Sequence, residues 1–229
     1  HAYTARSHGL KVKSLGFIIA FILPLAFTEI DDEEFKKIPV KNRVTILASG
    51  PSANLLLSLI ALYIASLIMS PTGIVILSVE ENSLAYKYGL KPGDVILEIN
   101  GEQADRLTLA KYVSNKTGLN LTLKILSNGV VKTLEIYKPE NITKLGISFT
   151  MKPYDHVVEA LGLDTAVALQ LIILWLYVVN LGLSVVNSAP LFISDGGRIV
   201  YEVSKNKPIG HTVNILSLII LILAVAPLK

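Results

Sequence analysis

Long runs free of charge dominate the hydrophobic pattern of this chain. Val44–Met69 carries no charged residue over 26 positions, Thr165–Ser194 none over 30 and Thr212–Leu228 none over 17. As an α-helix the first run would reach about 39 Å at ~1.5 Å per residue, enough to cross a hydrocarbon core of about 30 Å. The second is densest in apolar residues from Ala166 to Val186, and the third is near the lower length limit. The pattern predicts membrane spans over 44–69, 165–190 and 212–228. Buried helices of a large soluble protein are the alternative, disfavoured by three such runs in 229 residues.

A fourth apolar run, Leu15–Thr28, is shorter, rich in Phe and Ile, and broken by Pro24. Its length and β-branched content predict a β segment over 11–28, a re-entrant hairpin or small sheet dipping toward the membrane. Between the first two spans the pattern changes to that of a small α/β domain over 73–150. It predicts strands at 73–79 and 95–100, with a short helix from Ser83 ended by Gly89. A tight turn at Asn100-Gly101 follows, then a helix from Thr108 to Val113. A hairpin, 119–126 with 130–137, turns at Asn128-Gly129.

Composition sharpens this picture. The chain is 52% hydrophobic and 17% charged, against roughly 25% charged in a typical soluble domain. A net charge of +3 without a dense basic stripe gives no basis for nucleic-acid binding. There is no cysteine, so any metal must be held by His, Asp or Glu. Lys36, Lys37, Lys41 and Arg43 precede the first span, and Arg198, Lys205 and Lys207 lie between the second and third. The positive-inside rule makes both sets cytoplasmic and the inserted domain extracytoplasmic. Sequons at Asn115, Asn120 and Asn141 all fall in that domain.

Two places carry candidate chemistry. Asn187-Ser-Ala-Pro190-Leu-Phe-Ile-Ser-Asp195-Gly196 closes the second span. An acid at membrane depth is a functional-site candidate, and an interfacial turn at Asp195-Gly196-Gly197 is the plain alternative. The segment His1–Gly9 reads as the end of a helix, with Gly9 past its C-terminus and His8 suited to the negative end of the helix dipole. For His1, a tag remnant or an arbitrary chain start is the plain alternative.

Together these residues resemble the site-2 proteases, which carry His-Glu-x-x-His on one membrane helix and Asn-x-x-Pro-x-x-x-x-Asp-Gly on a later one. Asn187, Pro190, Asp195 and Gly196 fit the second motif. His1 resembles the second histidine of the first motif, and the segment from Ala2 to Gly16 resembles the family's chain just past that histidine. Gly50-Pro51-Ser-Ala-Asn54 resembles a Gly-Pro-x-x-Asn element of that family. The stretch Gly89–Gly101 resembles PDZ domains of bacterial and archaeal proteases. The fold implied is mixed: a polytopic α-helical membrane core with a short re-entrant β segment and an inserted α/β PDZ-like domain. The core would be 1–72 and 151–229, the insert 73–150.

The resemblance implies an intramembrane zinc endopeptidase that cleaves transmembrane segments of single-pass proteins in the lipid bilayer. His1 and Asp195 would be metal ligands, while Asn187, Pro190 and Asn54 would contact substrate. Gly196, Gly50 and Pro51 would shape the fold. The family's first histidine and its general-base glutamate have no counterpart in the sequence, and are expected upstream of His1. The insert would bind a peptide or chain terminus, with Lys144–Ser148 near the groove. The alternative is an inactive membrane scaffold that binds peptides through the insert. A transporter is disfavoured by the lack of an internal repeat, and a serine-type protease by the lack of a Gly-x-Ser-x-Gly elbow.

Overall fold

The computed structural model describes residues 1–20, 23–114, 118–204 and 207–225. It divides into two compact units, one of His1–Ala61 with Trp175–Lys229 and one of Leu62–Leu174.

The first unit begins with a short helix, α1 (Ala2–Ser7), and two antiparallel strands, β1 (Val12–Ala20) and β2 (Leu23–Ile30). The predicted β segment is therefore a hairpin, its register running from Val12 opposite Ile30 to Ala20 opposite Leu23. Its turn lies outside the described residues. Phe27 lies across from Gly16, and a Cβ on Gly16 would come within 2.5 Å of the ring. Helix α2 (Asp32–Lys37) comes next, its N-terminus capped by the Asp31 carboxylate, which accepts from the Glu33 and Glu34 amides. Ala5, Leu10, Phe35, Ile46 and Leu47 form a buried cluster in this unit.

Helix α3 (Val40–Ile68) matches the first expected span, but the chain becomes a strand at Met69. Helix α7 (Leu163–Ser188) matches the second and stops two residues before Pro190, which has no N–H to extend it. Both are long and apolar enough to cross a membrane. Leu56, Trp175 and Val178 are each more than half exposed. That suits a lipid surround better than a soluble core, which would bury such side chains. Helix α8 (Asp195–Val203) is amphipathic, and α9 (Lys207–Val225) covers most of the third expected span. The apolar part of α9, Pro208–Leu223, is shorter than those of α3 and α7. Residues 226–228 of that expected span lie outside the described residues.

The second unit is built on an antiparallel sheet in the order β7-β6-β4-β3-β8, with β5 (Glu102–Gln103) beside β4. Its strands are β3 (Met69–Val79), β4 (Val95–Ile99), β6 (Leu119–Ser127), β7 (Val130–Lys138) and β8 (Ile147–Pro153). The two Asn-Gly turns take the positive φ angles that a two-residue hairpin turn requires: 52° and 80° at Asn100-Gly101, 50° and 78° at Asn128-Gly129. Alternation along the strands divides the apolar residues between two faces. Ile74, Ile76, Ile96, Leu123 and Ile125 share a cluster with α4 (Leu84–Lys87) and α5 (Arg106–Val113). Val75 and Val95 pack instead against Val167 of α7. The chain reaches α7 through α6 (Asp155–Leu161). Gln170 of α7, fully buried, donates to Thr150 Oγ1 at 2.8 Å and the Met151 carbonyl at 2.9 Å. Of the three sequons, Asn115 lies outside the described residues. Asn120 is on β6, and Asn141, with φ 66°, is in the loop after β7.

Candidate metal centre

His1 and Asp195, 194 positions apart in sequence, meet in the first unit. His1 precedes α1. Its Nδ1 is 2.8 Å from the Ile46 carbonyl oxygen of α3. A carbonyl only accepts, so Nδ1 carries the proton and donates it. A neutral ring then presents the lone pair of Nε2 outward, the tautomer that a metal-binding histidine needs. Nε2 lies 3.2 Å from Asp195 Oδ2.

Asp195 is set by the turn between α7 and α8. Ser194, 97% buried, caps α8: its hydroxyl oxygen accepts from the Gly197 amide at 3.1 Å and the Leu191 amide at 3.3 Å. It also reaches the Ala189 carbonyl at 2.5 Å. Gly196 and Gly197 allow backbone to lie on backbone. A Cβ on Gly196 would stand 2.1 Å from the Ser188 carbonyl oxygen, and one on Gly197 1.8 Å from that of Leu191. Asp195 is thus the first residue of a helix docked through its glycines, and the plain reading of an interfacial turn is incomplete.

The two donors suit a zinc ion. Tetrahedral coordination with bonds of about 2.0–2.2 Å separates neighbouring donor atoms by about 3.4 Å. The observed 3.2 Å is close to that. A neutral Nε2 and a carboxylate oxygen are both acceptors, so they face each other favourably only with a cation or proton between them. Gly50 supplies the space: a Cβ there would be 2.2 Å from Nε2. Among the described residues no group of three or more His, Asp or Glu side chains is placed to hold a metal. A cavity of about 450 Å³ opens beside the pair, lined also by Lys13, Glu29, Asp31 and Arg198.

A model of peptidase family M50 matches residues 1–227. The chain belongs to this family. The resemblance to site-2 proteases drawn from Asn187–Gly196 and this match agree. An uncharacterized protein of Methanocaldococcus jannaschii is 33% identical over 96% of this chain and 59% of its own length. A protein named "Putative zinc metalloprotease" in Xylella fastidiosa is 27% identical over 61% of this chain and 30% of its own. One so named in Lactococcus lactis is 26% identical over 75% of this chain and 50% of its own. The chain thus spans between three tenths and three fifths of the length of these relatives.

The other expected site residues are not all gathered at the His1–Asp195 pair. Gly50 touches His1, and Asn54, four residues on, shares its face of α3. Asn187 is half-buried near the end of α7. Among the described residues neither the Asn54 nor the Asn187 side chain makes a hydrogen bond, whether to His1, Asp195 or any other group. Pro51 is buried within α3, and its carbonyl accepts from the buried Ser184 hydroxyl of α7 at 2.9 Å. His8 bonds the Thr4 carbonyl at 2.9 Å, as expected of a residue at a helix end. The sequence reading missed the Ile46 carbonyl, Ser194 and the Arg43–Glu202 ion pair, 2.8 Å long. Only Ser194 had a visible signal, a serine just before an acidic residue and an amphipathic run.

Proposed function

We propose that this chain is the catalytic part of a zinc-dependent endopeptidase that cleaves transmembrane segments of membrane proteins within the bilayer. The observation that carries the reading is the 3.2 Å approach of His1 Nε2 to Asp195 Oδ2, with the opposite ring nitrogen tied to Ile46. Membership of peptidase family M50 and the two apolar helices support it.

His1 and Asp195 would hold zinc through Nε2 and Oδ2. The chemistry supplied by the bound ion is Lewis acidity, which makes water nucleophilic near neutral pH and polarises the scissile carbonyl. Asp195 brings a negative charge that offsets the cation and would be costly alone in hydrocarbon. Ile46 orients the His1 ring, and Ser194 with the two glycines fixes the start of α8. Asn54 and Asn187, with no hydrogen-bond partner among the described residues, are free to bond the backbone of an unwound substrate or a developing oxyanion. Pro190 ends α7 so that the chain can turn to Asp195. The β1–β2 hairpin offers strand edges to an extended substrate segment. The remaining zinc donor and the general base would be the histidine and glutamate of the family's first motif.

The sheet of the second unit is read as a PDZ-like module that binds a peptide or chain terminus outside the cytoplasm. The Arg43–Glu202 ion pair joins the start of α3 to the end of α8, which supports placing both basic segments on one side of the membrane. The partners are then single-pass membrane proteins, a peptide terminus and lipid.

The test is metal analysis of the full-length protein purified in detergent. About one zinc per chain is expected, falling toward zero in Asp195→Ala together with cleavage of a transmembrane substrate. A wild-type protein that binds no zinc, yet still binds peptide, would establish the scaffold reading instead.

A further inference from the structure

Helix α9 is apolar along most of its length, yet it carries one deeply buried amide. Asn214 is 97% buried. Its Nδ2 donates to the Gly197 carbonyl at 3.4 Å. Its Oδ1 is buried and has no hydrogen-bond partner among the described residues. An unpaired acceptor in an apolar setting is costly, so this side chain adds little net stability where a leucine would pack without that cost. What it does add is direction, because Gly197 is two residues from Asp195. The Gly197 amide is held by Ser194 and its Cα lies against Leu191, so the Asn214 bond to its carbonyl holds this one residue from a third side. Helices α8 and α9 also pass closely at Gly210, where a Cβ would meet Tyr201 Cα and Ser204 Oγ at 3.3 Å.

We propose that Asn214 is a positioning residue, which holds the first turn of α8 from α9 and so fixes where Asp195 presents its carboxylate. This rests on the zinc reading above for its consequence in catalysis, but not for its structural content. It makes α9 part of the reactive unit rather than a passive anchor.

Asn214→Leu, Asn214→Asp and Asn214→Gln in the full-length protein separate these roles. The first keeps the branched shape and removes both polar atoms. The second keeps the shape and, when ionised, loses the donor. The third keeps the donor on a longer stem. In Asn214→Leu the thermal midpoint is expected to hold or rise. Zinc affinity, measured by chelator competition, is expected to fall about tenfold, in line with outer-shell losses at metal sites. The kcat should fall with it while KM is unchanged. Asn214→Asp should lose as much, and Asn214→Gln should recover part. Hydrogen exchange of metal-free protein over residues 191–198 should quicken in the Leu and Asp variants. That readout needs no zinc, so it tests Asn214 even if the wild type proves metal-free and the zinc reading fails. Unchanged exchange in Asn214→Leu would overturn the proposal. So would zinc affinity lost only in proportion to a lowered thermal midpoint, since that is the mark of a merely structural side chain.

Discussion

Gly50 and His1 are packed so closely that the helix surface of one forms the floor under the ring of the other. A methyl group on Gly50 would stand 2.2 Å from Nε2, 2.7 Å from Cε1 and 2.9 Å from Cδ2. The ring lies flat against α3 because position 50 has no side chain, and the Ile46 carbonyl one turn earlier holds its other edge.

Gly50→Ala should therefore act on His1 rather than on α3, where alanine is the better helix former by about 1 kcal/mol. The expected result is a helix content and thermal midpoint close to wild type, with zinc affinity reduced about 10- to 100-fold. Chelator competition and circular dichroism on the same samples check it.

Gly197→Ala should damage the fold itself. Its Cβ would lie 1.8 Å from the Leu191 carbonyl oxygen, and backbone cannot step aside as a flexible side chain can. Destabilisation of more than about 3 kcal/mol is expected, with loss of the α8 start. By contrast Ser194→Ala removes a cap and should cost about 1–2 kcal/mol. Denaturant unfolding in mild detergent would rank the two.

The Arg43–Glu202 pair offers a double-mutant cycle. Each side chain is about one-sixth exposed, and Arg43 Nε has no hydrogen-bond partner among the described residues. Arg43→Met leaves the Glu202 carboxylate buried and should cost about 2 kcal/mol after allowance for residual solvent. The double variant Arg43→Met/Glu202→Met should recover most of that. A double variant whose loss equals the sum of the losses in Arg43→Met and Glu202→Met alone would show that the pair contributes nothing of its own.

Asp31 gives a pH dependence. The Lys13 ammonium, 2.8 Å away, and the amides of Glu34 and Glu33 hold its carboxyl down to about 2. Its folded pKa is below the unfolded value of about 3.9, so its contribution is present above that value and lost as pH falls toward 2. Protection of the α2 amides against hydrogen exchange should be constant from about pH 7 to 5 and drop between about 4 and 2. In Lys13→Met the drop should begin at higher pH.

Much of the architecture could be read from the order of residues. The spans at 44–69 and 165–190 came within a few positions of α3 and α7, because uninterrupted apolar length is a local property that the bilayer selects. The Asn-Gly turns were equally legible: positive φ is a local demand that few residues meet, so Asn100-Gly101 announced a tight turn and Asn128-Gly129 a hairpin, while the short strand β5 after the first turn went unread. Local signals alone did not give the bounds. β3 starts at Met69 rather than Gly73, and the second compact unit takes in α7 up to Leu174, because Val167 and Gln170 pack on the sheet.

The candidate pair of His1 and Asp195 divides differently. The residue types, an acid after a span and a histidine at the other end of the chain, were visible in sequence with the family resemblance that links them. Their approach to 3.2 Å was not, because it depends on contacts with no sequence period: a missing Cβ at Gly50, a helix carbonyl at Ile46 and backbone-on-backbone packing at Gly196 and Gly197. Asn214 is the sharpest case. In sequence it is one amide in an apolar run, and only the tertiary fold sets it against the Gly197 carbonyl. Periodicity reports which face of an element avoids water, whereas catalytic geometry is fixed by which particular atoms of distant elements are brought close enough to touch.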